Sequence, residues 1–330
     1  MAALLFWWNQ DLQAQAETFH SIAPAVQAAR MGRGINVLSA DPIWTDPQRA
    51  RFKFEDFKRI REGGFRTVRL NLHGFAHMND DGALDPAWLE TLDRVVQAAL
   101  AADLIVILDE HDYSVCDRDV ARCQRRLTEF WLQIADRYKS SPNTVLFEIL
   151  NEPHGVINDD NWNVILRATL RTIRLSNPTR NVIIGPAFYN SIHHLVALTL
   201  PSDDNIIVTV HYYDPMSFTH QGARWNPATA ALSGVSWGTR SDYAHVFQDL
   251  AQVQTWATAH NRPILLGEFG AYERGDLASR VRYTAAVART AEAMGWAWAY
   301  WQFDGDFIAF DVDRDEWVKP IWQALTAAQP

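Results

Sequence analysis

The sequence predicts an α/β fold, a single-domain closed (β/α)8 TIM barrel, and three observations carry that reading. Eight short β-rich runs alternate with longer amphipathic runs, the signature of a parallel sheet with helical crossovers. The 330 residues contain no Gly/Ser-rich or Pro-rich linker, so they suit one large barrel, which takes roughly 250 residues or more. No G-x-G-x-x-G or Walker-type loop follows any β-rich run, which disfavours the doubly wound alternative.

In chain order the β-rich runs are GINVL (34–38), TVRLNL (67–72), LIVILDEH (104–111), TVLFEILNEP (144–153), NVIIGPA (181–187), NIIVTVHYY (205–213), PILLGEFG (263–270) and WAWAYWQF (296–303). Helical patterns lie between them. In PAWLETLDRVVQAALAA (86–102), Leu89, Leu92, Val96 and Leu100 fall on one face. LTEFWLQIADRYK (127–139), DNWNVILRATLRTIR (160–174) and SRVRYTAAVARTAEAM (279–294) follow the same spacing. Pro86 suits a first helical position, and Gly295 suits a helix end before the eighth strand.

Composition narrows the function classes. Hydrophobic residues make up 48% and charged residues 21%, enough apolar material for a sizeable core. The net charge is −9 and no basic run stands out, so neither nucleic acid nor an anionic membrane is expected as a partner. No run reaches the roughly 18 apolar residues that a membrane span requires. Cys116 and Cys123 are too few for a zinc site or a disulfide scaffold; a local disulfide and two free thiols both remain open. The N-terminal MAALLFWWNQDLQAQA has a short apolar run without a basic start, at most a trimmed leader.

A barrel of this kind places its chemistry at the C-terminal ends of the strands. Strand 2 carries Arg69, strand 3 ends in Asp109, Glu110 and His111, and strand 4 ends in Asn151 and Glu152. Strand 6 ends in His211, Tyr212 and Tyr213, strand 7 in Glu268 and strand 8 in Trp301. Strands 4 and 7 stand nearly opposite in the wall, so Glu152 and Glu268 can face each other across the mouth. Two facing carboxyls are the minimum equipment for glycoside hydrolysis, one as proton donor and one as nucleophile. Glu148 precedes Glu152 with the same strand parity, so it points into the interior and needs a partner there. Arg69, or Arg66 deeper in strand 2, is the expected one.

With GRGIN (32–36), VRL (68–70), FEILNEPHG (147–155), HYYDP (211–215), FTHQGARW (218–225), PILLGEFGAY (263–272) and AYWQF (299–303) in this order, the chain resembles the glycoside hydrolase family 5 cellulases. The resemblance runs from about residue 30 to the end. It implies an endo-β-1,4-glucanase working by retaining double displacement, with residues 31–330 as the catalytic domain. Residues 1–30 are then an N-terminal segment, a leader remnant and a cap on the barrel bottom. By the same resemblance Glu152 is the acid/base and Glu268 the nucleophile. Asn151 would bond the sugar 2-OH, Arg69 would hold the nucleophile charged, His211 would sit beside the acid/base and Tyr213 would reach toward the nucleophile. His111 and Trp301 would line the reacting-sugar subsite, and Asn36 is structural support.

Trp44, Trp225 and Trp237 are candidate sugar-stacking platforms, Trp225 being the one within FTHQGARW, and His220 is a candidate hydroxyl contact. The stretch DEHDY (109–113) also admits a metal reading through Asp109, His111 and Asp112, but no matching ligand pair ends another strand. No metal or cofactor is therefore expected. Asp112 departs from the family, where a second His often stands, and this leaves mannan tolerance open. The His193–His194 pair reads as a solvated helix start. Alternatives to the glucanase are a β-mannanase or mixed-linkage glucanase on the same scaffold, and a non-catalytic carbohydrate-binding barrel. A polysaccharide cannot enter cells, so a secreted or periplasmic location is expected.

Overall fold

A computed structural model describes residues 18–39 and 41–327; the leader expected at the N-terminus falls mostly on residues 1–17, outside them. Eight strands form the wall: β1 (Arg33–Val37), β2 (Thr67–Leu72), β3 (Ile105–Glu110), β4 (Val145–Glu148), β5 (Val182–Ile184), β6 (Ile206–Tyr212), β7 (Ile264–Phe269) and β8 (Ala297–Tyr300). Neighbours run parallel in sequence order, and β8 pairs back onto β1 through Trp298–Arg33, Ala299–Gly34 and Tyr300–Ile35. The (β/α)8 barrel read from the sequence is the observed fold.

Each strand sits on one of the eight runs, yet several stop early. β4 ends at Glu148 rather than 153, and β8 ends at Tyr300 rather than 303. Beyond those points the backbone leaves the ladder to serve the mouth. Asn151 N donates to Glu110 O at 2.8 Å, and Glu152, at φ 45°, donates its N–H to Asn190 Oδ1 at 2.7 Å.

The outer helices return the chain, and five begin at a capping side chain. Asp85, Asp119, Asn158, Thr239 and Asp276 each accept a backbone N–H in the first turn of Pro86–Ala101, Val120–Arg137, Asp159–Arg174, Arg240–His260 and Leu277–Ala293. Pro86 takes its first-turn place, and Gly295 follows the last of these helices at φ 77°. The helix expected from Leu127 starts at Val120, because the Asp119 cap nucleates two polar turns that periodicity does not register. No described helix is long and apolar enough to cross a membrane.

Strand parity divides the barrel interior in two. Ile105, Ile107, Leu146, Ile183, Ile207, Leu265 and Ala297 fill its lower half together with Met31, the last residue of helix Pro24–Met31. Higher on the same inward rows come Arg69, Asp109, Glu148, Thr209 and His211, all buried. β7 needs a correction to join them. Val210 pairs with Leu266 and His211 with Glu268, so Gly267 is an extra residue, a β-bulge that turns Glu268 rather than its neighbour inward. Only glycine fits there, since a Cβ would lie 2.5 Å from Thr209 Oγ1 and 3.0 Å from His211 Nε2.

The alternative left open for the cysteines resolves to a disulfide between Cys116 and Cys123, both fully buried. It ties the loop after β3 to the first turn of helix Val120–Arg137. A Cys116→Ser/Cys123→Ser double variant is expected to lose about 2 kcal/mol of stability, since bridges typically contribute that order. Denaturant unfolding measures this, and an unchanged midpoint would refute a stabilising role for the bridge.

Candidate active site

A buried guanidinium organises the upper interior. Arg69 on β2 is wholly buried, and a buried cation must find its counter-charges inside the protein. Its Nε and Nη2 donate to the two oxygens of Glu148 at 2.8 and 2.9 Å. Nη2 also donates to Asn151 Oδ1 at 2.9 Å and lies 3.1 Å from Asp109 Oδ2. Nη1 donates to Asn36 Oδ1 and Glu268 Oε1, each at 2.9 Å. Burial alone would lower the Arg69 pKa, but Asp109, Glu148 and Glu268 reverse this and hold it well above its ordinary value. Of the two expected partners for Glu148, Arg69 is the one; Arg66 is exposed near the barrel bottom.

Glu268 and Glu152 meet beside this hub. Glu268 accepts from Arg69 through Oε1 and from Tyr213 Oη at 2.9 Å through Oε2. His211 Nδ1 lies 2.8 Å from Glu152 Oε1 and 3.6 Å from Glu268 Oε2. Ligand atoms of Glu152, His211 and Glu268 all fall within 4.8 Å of one another. Among the described residues this group is also the one compact enough to hold an ion. Its chemistry favours a proton instead, because Arg69 already supplies the cation that Glu268 faces.

Burial pushes the Glu152 carboxyl up to about 7, against the opposing charges of His154 and Arg69. Burial lifts Glu268 to about 7 as well; the charge on Glu152 adds to this while His211 and Arg69 resist it. Arg69, expected from the sequence to hold Glu268 charged, does oppose this rise, but burial outweighs one shared cation. Two such close carboxyls titrate as a pair holding one proton near neutrality. Glu268 receives two donated hydrogen bonds, from Arg69 and Tyr213, that favour its charged form, whereas Glu152 meets His211, whose pKa burial lowers.

The remaining predicted residues divide between cleft and packing. His111 Nδ1 is 2.6 Å from Asp109 Oδ2, and its ring stacks on Trp301 at 5.4 Å and 8°. Asn36 holds Arg69 through Oδ1 and donates to Gly267 O at 3.0 Å, which braces the bulge. Trp225 is 53% exposed, set edge-on to Tyr272. His220 packs its edge on Tyr213 at 5.0 Å and meets Thr219 Oγ1 through Nδ1 at 3.0 Å, so it supports Tyr213 from within. Two tryptophans must be corrected. Trp237 is buried between Tyr243 and Tyr283, with no open face. Trp44 is buried too, donating Nε1 to Asn71 O at 3.1 Å and packing on Trp88, so the loop that carries it folds inward.

Within DEHDY, Asp112 Oδ1 accepts from the Ser114 backbone at 3.0 Å, which makes it a turn cap. His194 pairs with Asp159 at 3.1 Å and His193 stays exposed, at the start of the short helix Ile192–Ala197. Two supporting residues escaped the sequence reading. Asn71 Nδ2 lies within 3.3 Å of Asn36, Asp109 and His111, and its parity with Arg69 on β2 was the available signal. Asn190 holds the Glu152 backbone from the loop after β5, and no local pattern announces it.

The family model described as Cellulase (glycosyl hydrolase family 5) matches residues 30–306. The chain belongs to glycosyl hydrolase family 5. Endoglucanase H of Acetivibrio thermocellus is 31% identical over 92% of this chain and 34% of its own length. Endoglucanase 3 of Fibrobacter succinogenes is 26% identical over 85% of this chain and 50% of its own. The chain thus spans a third to a half of these two relatives. Among solved structures, endoglucanase Cel5A of Thermotoga maritima superposes with a TM-score of 0.88 at 36% identity, covering 92% of this chain and 100% of that one.

The hub makes a stability prediction. Glu148→Ala removes the two oxygens that accept from Nε and Nη2 of the buried Arg69 and is expected to cost about 3–5 kcal/mol. Chemical denaturation measures it; a loss below about 1 kcal/mol would show that Glu148 is not what balances the guanidinium.

Proposed function

We propose that this chain is an endo-β-1,4-glucanase that cleaves internal bonds of a glucan with retention of configuration. The observation that carries the reading is the carboxyl pair at the barrel mouth, with oxygens of Glu152 and Glu268 within 4.8 Å across His211. A separation near 5–5.5 Å suits direct attack on the anomeric carbon, whereas inversion needs roughly 6.5–9.5 Å to admit a water. The similarity to endoglucanases over most of the chain supports the substrate class.

In this mechanism Glu152 holds the shared proton and gives it to the leaving glycosidic oxygen. Glu268, oriented by Arg69 and Tyr213, attacks the anomeric carbon and forms a glycosyl ester. Esterification removes the Glu268 charge. Glu152, already deprotonated by the transfer to the leaving oxygen, is now the stronger acid, stays ionised and as base takes a proton from the water that releases the sugar. Asn151, held by Arg69, is positioned for the sugar 2-OH, and the parallel rings of His111 and Trp301 wall the reacting subsite. Trp225 offers an exposed indole for a further sugar. No step calls for a metal or cofactor.

We assign this chemistry to residues 31–330 and the capping of the barrel bottom to helix Pro24–Met31, whose last residue, Met31, sits in the apolar plug. The polymeric substrate places the enzyme outside the cytoplasm. The Thermotoga Cel5A has also been solved with mannotriose, so β-mannan is the second substrate to test.

Reducing-sugar assays on carboxymethyl-cellulose, lichenan and glucomannan are expected to rank the β-1,4-glucan first. Glu152→Gln and Glu268→Gln should each lower the rate by about 10²–10⁴-fold or more. Comparable activity in Glu268→Gln would remove it as nucleophile. With azide, Glu268→Gly should form an α-glycosyl azide and Glu152→Ala a β-glycosyl azide; the opposite pattern would exchange the roles.

Tyr213→Phe tests the electrostatics. It removes a hydrogen bond to the charged form of Glu268, so that carboxyl is protonated at higher pH. The acidic limb of kcat/KM against pH should move upward while the alkaline limb, set by Glu152 near 7, stays in place. An unmoved acidic limb would mean that Tyr213 does not hold Glu268 charged.

A further inference from the structure

The loop after β3 lies against the loop that carries Glu152, and three contacts join them. The Tyr113 ring meets the His154 imidazole edge-on at 4.5 Å. Asp117 O accepts from Val156 N at 3.1 Å. Gly155, at φ 71°, approaches Asp117 so closely that a Cβ there would collide with its backbone. Glycine meets both demands, the left-handed backbone and the close approach. His154 Nδ1 in turn lies 2.6 Å from Glu152 O, so the supported stretch runs straight into the acid/base.

Glu152 needs that support. Its φ of 45° is one that a non-glycine residue keeps only when its surroundings hold it. Asn190 holds its N–H, and the loop after β3 holds the chain that follows. That loop shapes itself by short-range bonds, Asp117 N to Tyr113 O at 3.0 Å and Asp119 N to Val115 O at 3.1 Å. Such turns fix a shape but not a position. The Cys116–Cys123 bridge fixes the position, because it joins the neighbour of Asp117 to the first turn of helix Val120–Arg137. The helix is itself anchored, since the buried Trp131 donates Nε1 to Ile149 O at 2.9 Å, just past the end of β4.

Glu268 is secured separately. Its side chain accepts from Arg69 and Tyr213, and neither belongs to the loop after β3. We propose that the Cys116–Cys123 bridge is a positioning clamp for the acid/base, setting Glu152 against the departing oxygen while leaving the nucleophile untouched. This rests on the glucanase reading above and adds to it a covalent link on which proton donation alone depends.

Aryl β-cellobiosides test it, because their leaving groups differ in how much proton donation they need. Dinitrophenolate departs unaided and phenolate does not, yet each carries a single aromatic ring. In Cys116→Ser/Cys123→Ser, kcat/KM on phenyl β-cellobioside should fall about tenfold, and on the dinitrophenyl glycoside by less than about twofold. Circular dichroism checks that the variant is folded. Should it not fold, Tyr113→Ala decides, since it keeps the bridge and removes the ring that meets His154; the same selective fall, about threefold, is then expected. In the deciding variant, an equal fall on both substrates would overturn the clamp, because the loss would then reach the whole site. Unchanged rates on both would overturn it equally. Wild type inactive on both cellobiosides would instead overturn the glucanase reading, and the clamp with it.

Discussion

Everything at the mouth of this barrel depends on one buried positive charge. A guanidinium has five N–H donors in a fixed plane, and in a dry interior each needs an acceptor. Arg69 meets that demand with side chains from four other strands or strand ends: Asn36, Asp109, Glu148 with Asn151, and Glu268. The same bonds that neutralise the cation set the positions of the groups that meet a substrate. Structural need and chemical placement are one network here, so Glu148 matters although it stays beneath the cleft. It takes up the side of the guanidinium that points down, and this leaves the upper side free for Glu268 and Asn151.

The two carboxyls reach the mouth by different departures from regular structure. Glu268 would face outward on an unbroken β7; the Gly267 bulge reverses the parity, and Asn36 braces it by bonding the Gly267 carbonyl. Glu152 lies past the end of β4 in a left-handed conformation, held by Asn190 from the next loop. Both devices give up local regularity for placement, which the surrounding bonds stabilise. Their shared burial then raises both acids, while the bonds from Arg69 and Tyr213 favour the charged form of Glu268.

Much of this was legible in the chain. Alternating β-rich and helical runs are local patterns, so strand count, order and barrel closure followed from them. Glu152, Glu268, Arg69 and the His111–Trp301 wall could be named because a barrel places its chemistry at strand ends, and the ordered family motifs marked the ends that matter. The tryptophans were less readable. Trp44, Trp225 and Trp237 all sit in loops with similar flanks, yet one is exposed and two are buried. Burial depends on which distant surfaces a loop packs against, here Trp88 and the Tyr243–Tyr283 pair, and no short window of sequence encodes that.

The sequence by itself determined the fold class and the family and pointed to two candidate glutamates, because each is written in spacing that a single strand or motif carries. Only the tertiary structure decided that Arg69 rather than Arg66 balances Glu148, that Cys116 bonds Cys123, and that both active carboxyls are lifted together. The physical reason is common to all three. Charge balance, covalent pairing and desolvation depend on distances between residues far apart in the chain, and those distances exist only once the barrel has closed.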